Sequence, residues 1–370
     1  MKNILSKLFN DNKNIIGLDI GLSMIKIMEL SGEDLESVKL EGYASVPVPP
    51  EYLNENGEFN AEYVKNISEL VNKCWKKAGC TSKHVAVCIK SNNVITKKAI
   101  LPNYSTQMDL KMAVESELTQ HIPEDLKIED LAIDFFKLGA NESSPSENDM
   151  LLIASKKEKI DDIQAIVEGA GLIPEIIDVE PYAIQNILKL MKGEDFEAKT
   201  YVVADCSASM LRMFVFVKGV LTATKEAQIG GITLTNDIIN NLGISFETAE
   251  KMKIDRTGDE TFDLIEKGFI NNYTTEFVSL LSYFSSATSL GEIDEIILTG
   301  GVASLPFLEQ SIVNSLLDTT DIIVNSEPYI ARPLENAERS PKINMVKFSS
   351  EEPGLFLVTS LALRKYLRQF

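Results

Sequence analysis

Two aspartates set the chemistry this chain could carry. Asp19 stands in I-I-G-L-D-I-G-L-S-M-I-K-I-M-E-L (Ile15 to Leu30), where an apolar strand reaches the aspartate, Gly21-Leu22-Ser23 turns the chain, and a second apolar strand carries Lys26. A phosphate needs backbone N–H groups without a Cβ in the way, a hydroxyl and a cation, and Gly21, Ser23 and Lys26 supply all three within one short loop. The Asp19 carboxylate then suits a metal ion, directly or through water. One such hairpin on its own reads as an ordinary surface hairpin whose Gly makes the turn. A second copy shifts the balance: Tyr201 to Val217, Y-V-V-A-D-C-S-A-S-M-L-R-M-F-V-F-V, again runs strand, Asp205, small residues Ser207-Ala208-Ser209, strand. Two such hairpins suggest two related halves facing one nucleotide, with Asp19 and Asp205 turned toward one magnesium ion. In a third segment, Ile296 to Ala303, a buried strand ends in Gly300-Gly301, which lets backbone approach a flat base or ribose.

Glu180 is the remaining candidate. It stands in V-E-P-Y-A after a predicted strand, and Pro181 suits the first position of a helix, so Glu180 falls at a strand-to-helix junction. A carboxylate there can orient a water toward a phosphate or simply cap the helix.

Elements that could position these groups follow from length and periodicity. At 370 residues the chain exceeds what one core usually supports, and two lobes are expected. The N-terminal residues Met1 to Phe9 read as a short amphipathic helix that packs on its own domain or a partner. Val46 to Asn56 reads as a Pro-rich loop, Ala61 to Ala78 as a helix ended by Gly79, and Val85 to Ile89 as a buried strand. From Val94 the pattern becomes strand (Ile95 to Leu101), helix (Met108 to Thr119), strand (Leu131 to Leu138), loop, strand (Met150 to Ala154) and helix (Ile160 to Ala170). That is an α+β unit inserted in the first lobe.

Composition narrows the function classes. Lys plus Arg number 36 against 55 Asp plus Glu, a formal charge of −19 that argues against nucleic acid or anionic lipid as a partner. Cys74, Cys80, Cys88 and Cys206 form no C-x-x-C pair and read as buried free thiols of a reducing compartment rather than zinc ligands. No apolar run approaches the ~20 residues of a membrane helix, and no signal peptide is seen, so a cytosolic protein is expected.

The order of the motifs resembles the PilM family of type IV pilus assembly proteins, relatives of the cell-division protein FtsA. The resemblance covers nearly the whole chain. It is carried by G-L-D-I-G-x-S-x-x-K at Gly17 to Lys26, T-Q-H-I-P at Thr119 to Pro123, L-L-I-A-S-K-K at Leu151 to Lys157 and G-A-G-L-I-P-E-I-I-D-V-E-P-Y-A at Gly169 to Ala183. It continues through Gly230-Gly231, A-E-K-M-K at Ala249 to Lys253, I-I-L-T-G-G at Ile296 to Gly301 and L-A-L-R at Leu361 to Arg364.

The resemblance implies an α/β actin-like ATPase fold: two lobes with duplicated ribonuclease H-like mixed sheets flanked by helices, plus an FtsA/PilM-type insert. The expected boundaries are residues 1–93 and 172–198 for the first lobe, with 345–370 packing back on it, 94–171 for the insert, and 199–344 for the second lobe with a helical subdomain at about 240–291. It also implies that ATP and Mg2+ are bound. Asp19, Gly21, Ser23 and Lys26 serve the first phosphate loop and Asp205 with Ser207 the second. Gly230 and Gly231 lie by the phosphates, Glu250 and Lys253 meet the ribose, and Gly300, Gly301 and Val302 border the adenine. Glu180 stands near an attacking water. The implied partner is the cytoplasmic tail of a PilN-like inner-membrane protein, bound between the first lobe and its insert. Other pilus inner-membrane components and self-association are further candidates, and the protein is placed at the inner membrane through its partners.

Ser207, Val302 and Ser360 stand where relatives carry Gly, and with these departures the chain is expected to be at most a weak ATPase. Two alternatives remain within the fold. An FtsA-like tether wants a terminal amphipathic anchor, whereas Arg364, Lys365 and Arg368 read as capping or solvating a last helix. A small-metabolite kinase needs a base aimed at an acceptor hydroxyl, and no second constellation of that kind is apparent.

Overall fold

The computed structural model describes residues 14–366 apart from 34–36, 54–58, 124–125, 142, 289–291 and 320–321. The helix expected over Met1 to Phe9, Arg368, and part of the Val46 to Asn56 loop lie outside the described residues. Two sheets of one topology hold the candidate site. In the first, the strands run Glu338–Arg339, Lys39–Pro47, Met24–Ser31, Ile15–Ile20, His84–Ile89 and Ile173–Val179 across the sheet. Ile15–Ile20 pairs antiparallel with Met24–Ser31 and parallel with His84–Ile89. In the second, the order is Val220–Ala227, Leu211–Val217, Thr200–Cys206, Glu295–Thr299 and Tyr329–Ile330. Here Thr200–Cys206 pairs antiparallel with Leu211–Val217 and parallel with Glu295–Thr299. Each half thus repeats an antiparallel hairpin followed by a parallel neighbour, which places both aspartates at the end of the first strand of their sheet.

The central strands are buried on both faces, and their sequences are near-continuous apolar runs for that reason. Ile16 and Leu18 are fully buried, as are Val202 and Ala204. The helix Val64–Ala78 covers the first sheet with Ile67, Val71 and Cys74 and ends at Gly79 in the left-handed region, φ 68°. In the second lobe the long helix Glu260–Thr288 buries Phe269, Tyr273, Phe277 and Phe284 against the sheet. All four cysteines are free and buried, and burial pushes the Cys74 thiol up to about 12.

The insert is a three-stranded antiparallel sheet with Glu147–Lys156 in the centre and Val94–Pro102 and Leu131–Ala140 at its edges. The helix Gln107–Thr119 packs Val114 and Leu118 on it, capped by the Thr106 side chain. The helix Lys157–Gly169 buries Ile166 and Val167 in the core of the first sheet rather than in the insert's own core.

The chain returns at its end. The helix Phe356–Ala362 lies so close to the first strand that a Cβ at Gly17 would stand 2.2 Å from the Val358 carbonyl oxygen. Arg364 and Lys365 do not solvate this end as expected. The Arg364 guanidinium lies 2.7 Å from Asp178, and Lys365 donates to Asn14 Oδ1 and the Leu30 carbonyl, so both fasten the segment to the first lobe. The strand Lys39–Pro47 runs through Val46, shortening the loop read there. Among the described residues no helix is long and apolar enough to cross a membrane.

Candidate functional site

The two hairpin turns close the same way. The Gly21 N–H donates to the Met24 carbonyl at 3.1 Å and the Ser207 N–H to the Met210 carbonyl at 3.2 Å. A Cβ at Gly21 would stand 2.7 Å from the Met24 oxygen, which explains glycine there. Ser207 fits instead because its hydroxyl donates to the Met210 carbonyl at 2.8 Å, so that hydroxyl is spent on the turn. Ser23 also serves the local frame, its carbonyl accepting from Val48 at 2.9 Å.

Between the hairpins runs a chain of alternating charges, buried at Asp19, Glu180 and Arg212 and half-buried at Lys26, Lys90 and Asp205. Lys26 stands 3.5 Å from Asp19 Oδ2, and Lys90 Nζ stands 3.8 Å from Asp19 Oδ1. Lys90 also donates to Glu180 Oε1 at 2.9 Å. From the second lobe Arg212 donates to Glu180 Oε2 at 2.5 Å and to Asp205 Oδ2 at 2.9 Å. Burial opposes ionisation of Asp19, yet Lys90 and Lys26 outweigh it and hold its carboxyl below the usual range. Burial opposes ionisation of Glu180 too, and Lys90 with Arg212 outweighs it, so Glu180 is likewise held below that range. Glu180 is therefore a weak proton acceptor in this arrangement.

Its other reading also changes. The helix Glu180–Lys192 begins at Glu180 itself, Val179 is its N-cap without a side-chain bond, and Pro181 is the second helical residue rather than the first. Glu180 is 1% exposed and its oxygens face the charge chain, so it is no cap.

This predicts an acid sensitivity. Carboxyls with depressed folded-state pKa contribute stability that is fully present above their unfolded values and is lost as pH falls through the folded ones. Denaturant midpoints are therefore expected to drop steeply below about pH 4, and the drop should be shallower in Glu180→Gln. Parallel pH curves for the two proteins would contradict it.

The remaining candidates meet around Gly231. The Gly231 N–H donates to the Ser207 carbonyl at 3.2 Å, and a Cβ there would touch Val302 Cγ2 at 3.4 Å, Lys253 Nζ at 3.6 Å and Ala208 Cα at 3.7 Å. Gly230 lies against the second hairpin turn, where a Cβ would stand 2.5 Å from the Ala208 oxygen. Lys253 donates to the Gly231 carbonyl at 3.0 Å, to the Thr235 hydroxyl at 2.7 Å and to Glu250 at 2.5 Å, and Thr235 also bonds Glu250. Gly300 has φ 87°, and its N–H donates to the Pro353 carbonyl at 2.7 Å; Gly301 lies beside Gly354. The structure thus sets Asp19, Lys26, Glu180 and Asp205 in one group and Ser207, Gly230, Gly231, Glu250, Lys253 and Val302 in another, with the second hairpin carrying members of both.

Three participants were missed. Lys90 follows the strand His84–Ile89 and carries no local signal. Thr235 sits one turn into its helix. Arg212 had a signal: D-I-G-L-S-M-I-K and D-C-S-A-S-M-L-R align throughout, with a cation seven residues after each aspartate. In both hairpins that offset sets the cation directly across the strand pair, Lys26 opposite Asp19 and Arg212 opposite Asp205.

Whether a metal fits can be tested on the oxygens. Asp19 Oδ1 is buried without a hydrogen-bond partner, as suits a cation or its water. Asp205 Oδ2 is already taken by a guanidinium. No three His, Cys, Asp or Glu side chains among the described residues are placed to hold a metal ion by themselves. A magnesium ion here would draw most of its shell from phosphate and water, its usual habit.

A family model described as "Type IV pilus assembly protein PilM" matches residues 17–366. Among curated proteins, cell division protein FtsA of Bacillus subtilis is 23% identical over 339 residues, 80% of this chain and 75% of FtsA. Among solved structures, a "PilM-PilN type IV pilus biogenesis complex" matches with TM-score 0.77 and 21% identity over 97% of this chain and 100% of that one. The ethanolamine utilization protein EutJ of Carboxydothermus hydrogenoformans matches with TM-score 0.53 and 15% identity, covering 94% of this chain and 89% of EutJ. The chain has the actin-like ATPase fold, with its two duplicated sheets.

Proposed function

This chain belongs to the type IV pilus assembly protein PilM family, and from that premise we propose that it is a cytoplasmic adaptor. It binds the cytoplasmic tail of a PilN-like inner-membrane protein and so takes its place in the pilus inner-membrane complex. The observation that carries the reading is the family match over residues 17–366. The likeness along 97% of the chain to the PilM component of a complex with PilN supports the choice of partner. The site between the hairpins takes ATP as a structural ligand or slow switch. Its phosphates meet Lys26, Lys90 and the hairpin turns, its ribose Glu250 and Lys253, and its base the Gly300–Val302 loop. An accompanying magnesium ion faces Asp19. With Glu180 held between two cations, hydrolysis is weak.

The partner seat is the insert. Its two edge strands leave unpaired backbone groups, and an added peptide strand satisfies such an edge. Ile122 packs into the insert core, so an aspartate there would test folding as much as binding. Ile100 on one edge strand and Leu138 on the other are 55% and 52% exposed and are cleaner probes. A synthetic tail peptide of the PilN-like protein is expected to bind the wild type with micromolar affinity, about −8 kcal/mol, because ordering the peptide offsets much of the contact energy. The affinity should change little with salt, and Ile100→Asp or Leu138→Asp should weaken it. Equal affinity in both variants removes the insert edges from the seat. No binding by the wild type overturns the partner assignment.

A further inference from the structure

Arg212 belongs to the second lobe, yet its guanidinium is divided between the lobes: it donates to Asp205 in its own hairpin and to Glu180 at the strand-to-helix junction of the other sheet. We propose that Arg212 stands in for a protein-held divalent cation between the lobes, so that magnesium adds little to the affinity of this chain for nucleotide. The proposal rests on the reading that the site takes ATP.

The charges support it. Lys26, Lys90 and Arg212 face Asp19, Glu180 and Asp205, each carboxylate already having a cation within 3.5 Å. A divalent ion entering this group finds no surplus of negative charge. To reach Asp205 Oδ2 it must displace the guanidinium of Arg212, a side chain 8% exposed, leaving that buried cation with Glu180 as its one carboxylate partner, which is unfavourable. Arg212 cannot step aside by losing its proton, because a guanidinium stays charged throughout the range in which proteins fold. Its planar fork matches two carboxylates at fixed angles, which a lysine ammonium could not do.

The two hairpins differ on this point. Lys26 is 23% exposed on its side chain and stands 3.5 Å from Asp19, while Arg212 is 8% exposed and stands 2.9 Å from Asp205. Asp19 Oδ1 is buried without a hydrogen bond, with Lys90 Nζ 3.8 Å away, whereas Asp205 Oδ2 is held by Arg212. Arg212 Nε is itself buried without an acceptor. It is the donor left over for an anionic oxygen, and a phosphate supplies one.

The test has a nucleotide arm and a metal arm. ATP is titrated into the wild type, Arg212→Gln and Arg212→Lys, each in Mg2+ and in EDTA. The wild type should lose less than about threefold in affinity on chelation and Arg212→Gln at least about tenfold, with Arg212→Lys between them because it keeps the charge but not the fork. In the metal arm, Mn2+ alone is titrated and followed by electron paramagnetic resonance. Arg212→Gln should bind it at least about tenfold more tightly than the wild type, since Asp205 is released and Glu180 keeps only Lys90. A wild type that loses tenfold or more in EDTA overturns the proposal whatever the variants do, including a variant that does not fold. Equal Mn2+ affinity in wild type and Arg212→Gln overturns it as well. A wild type that binds no ATP in either condition overturns the nucleotide reading and the proposal's claim about affinity, and the Mn2+ comparison then decides separately whether Arg212 excludes a metal.

Discussion

Glu180→Ala is expected to lower the unfolding free energy by about 3–5 kcal/mol, the scale for removing one partner from a buried ion pair. The loss is large because one carboxylate serves two cations. Lys90 would retain only Asp19, at 3.8 Å, and Arg212 would retain only Asp205. It also cuts the Arg212 contact between the lobes. Urea unfolding with an unchanged m-value measures it. A helix cap would cost about 1 kcal/mol, so a loss of that size or less would mean that Glu180 does not hold the charge chain together.

Gly300→Ala is the second large effect. At φ 87° and ψ 164° the backbone occupies a region open essentially to glycine alone. A Cβ would also stand 2.3 Å from the Cys206 carbonyl oxygen and 2.5 Å from its carbon, backbone atoms rather than a side chain that could swing away. Strain of about 1–3 kcal/mol and overpacking of about 1–3 kcal/mol add to a loss of roughly 2–6 kcal/mol. The neighbouring Gly301 has nothing within 4 Å of a built Cβ and no positive φ, so Gly301→Ala is the control. Thermal unfolding of the pair should separate them widely. Similar losses in both would place the constraint elsewhere in the loop.

Much of this was legible because both hairpins announce themselves locally. Asp19 and Asp205 each end an apolar strand and precede a run of small residues, and the Gly pair after Ile296-Ile297-Leu298-Thr299 marks a strand end where backbone must come close. The alternating elements from Val94 onward were likewise legible, with boundaries off by at most three residues. Lys90 and Arg212 were not read as part of the site. A charged residue at a strand end ordinarily faces water, and only pairing of His84–Ile89 with both Ile15–Ile20 and Ile173–Val179 brings Lys90 between Asp19 and Glu180. Arg212 could have been found by aligning the hairpins, because a seven-residue offset across a tight turn puts the two residues side by side. Glu180 was placed at the right junction, but its partners come from distant strands. The attachment of Arg364 and Lys365 depends on the return of the C-terminal helix to Gly17, which no local pattern encodes.

A nucleotide-binding role requires that the two hairpins and the Gly300 loop enclose one nucleotide. The most direct measurement is a crystal structure of the chain with a non-hydrolysable ATP analogue. The phosphates should lie between the Gly21 and Ser207 turns within reach of Lys26, Lys90 and Arg212, the ribose beside Glu250 and Lys253, and the base against Gly301 and Val302. An analogue bound anywhere else, or absent from the site at saturating concentration, would contradict it.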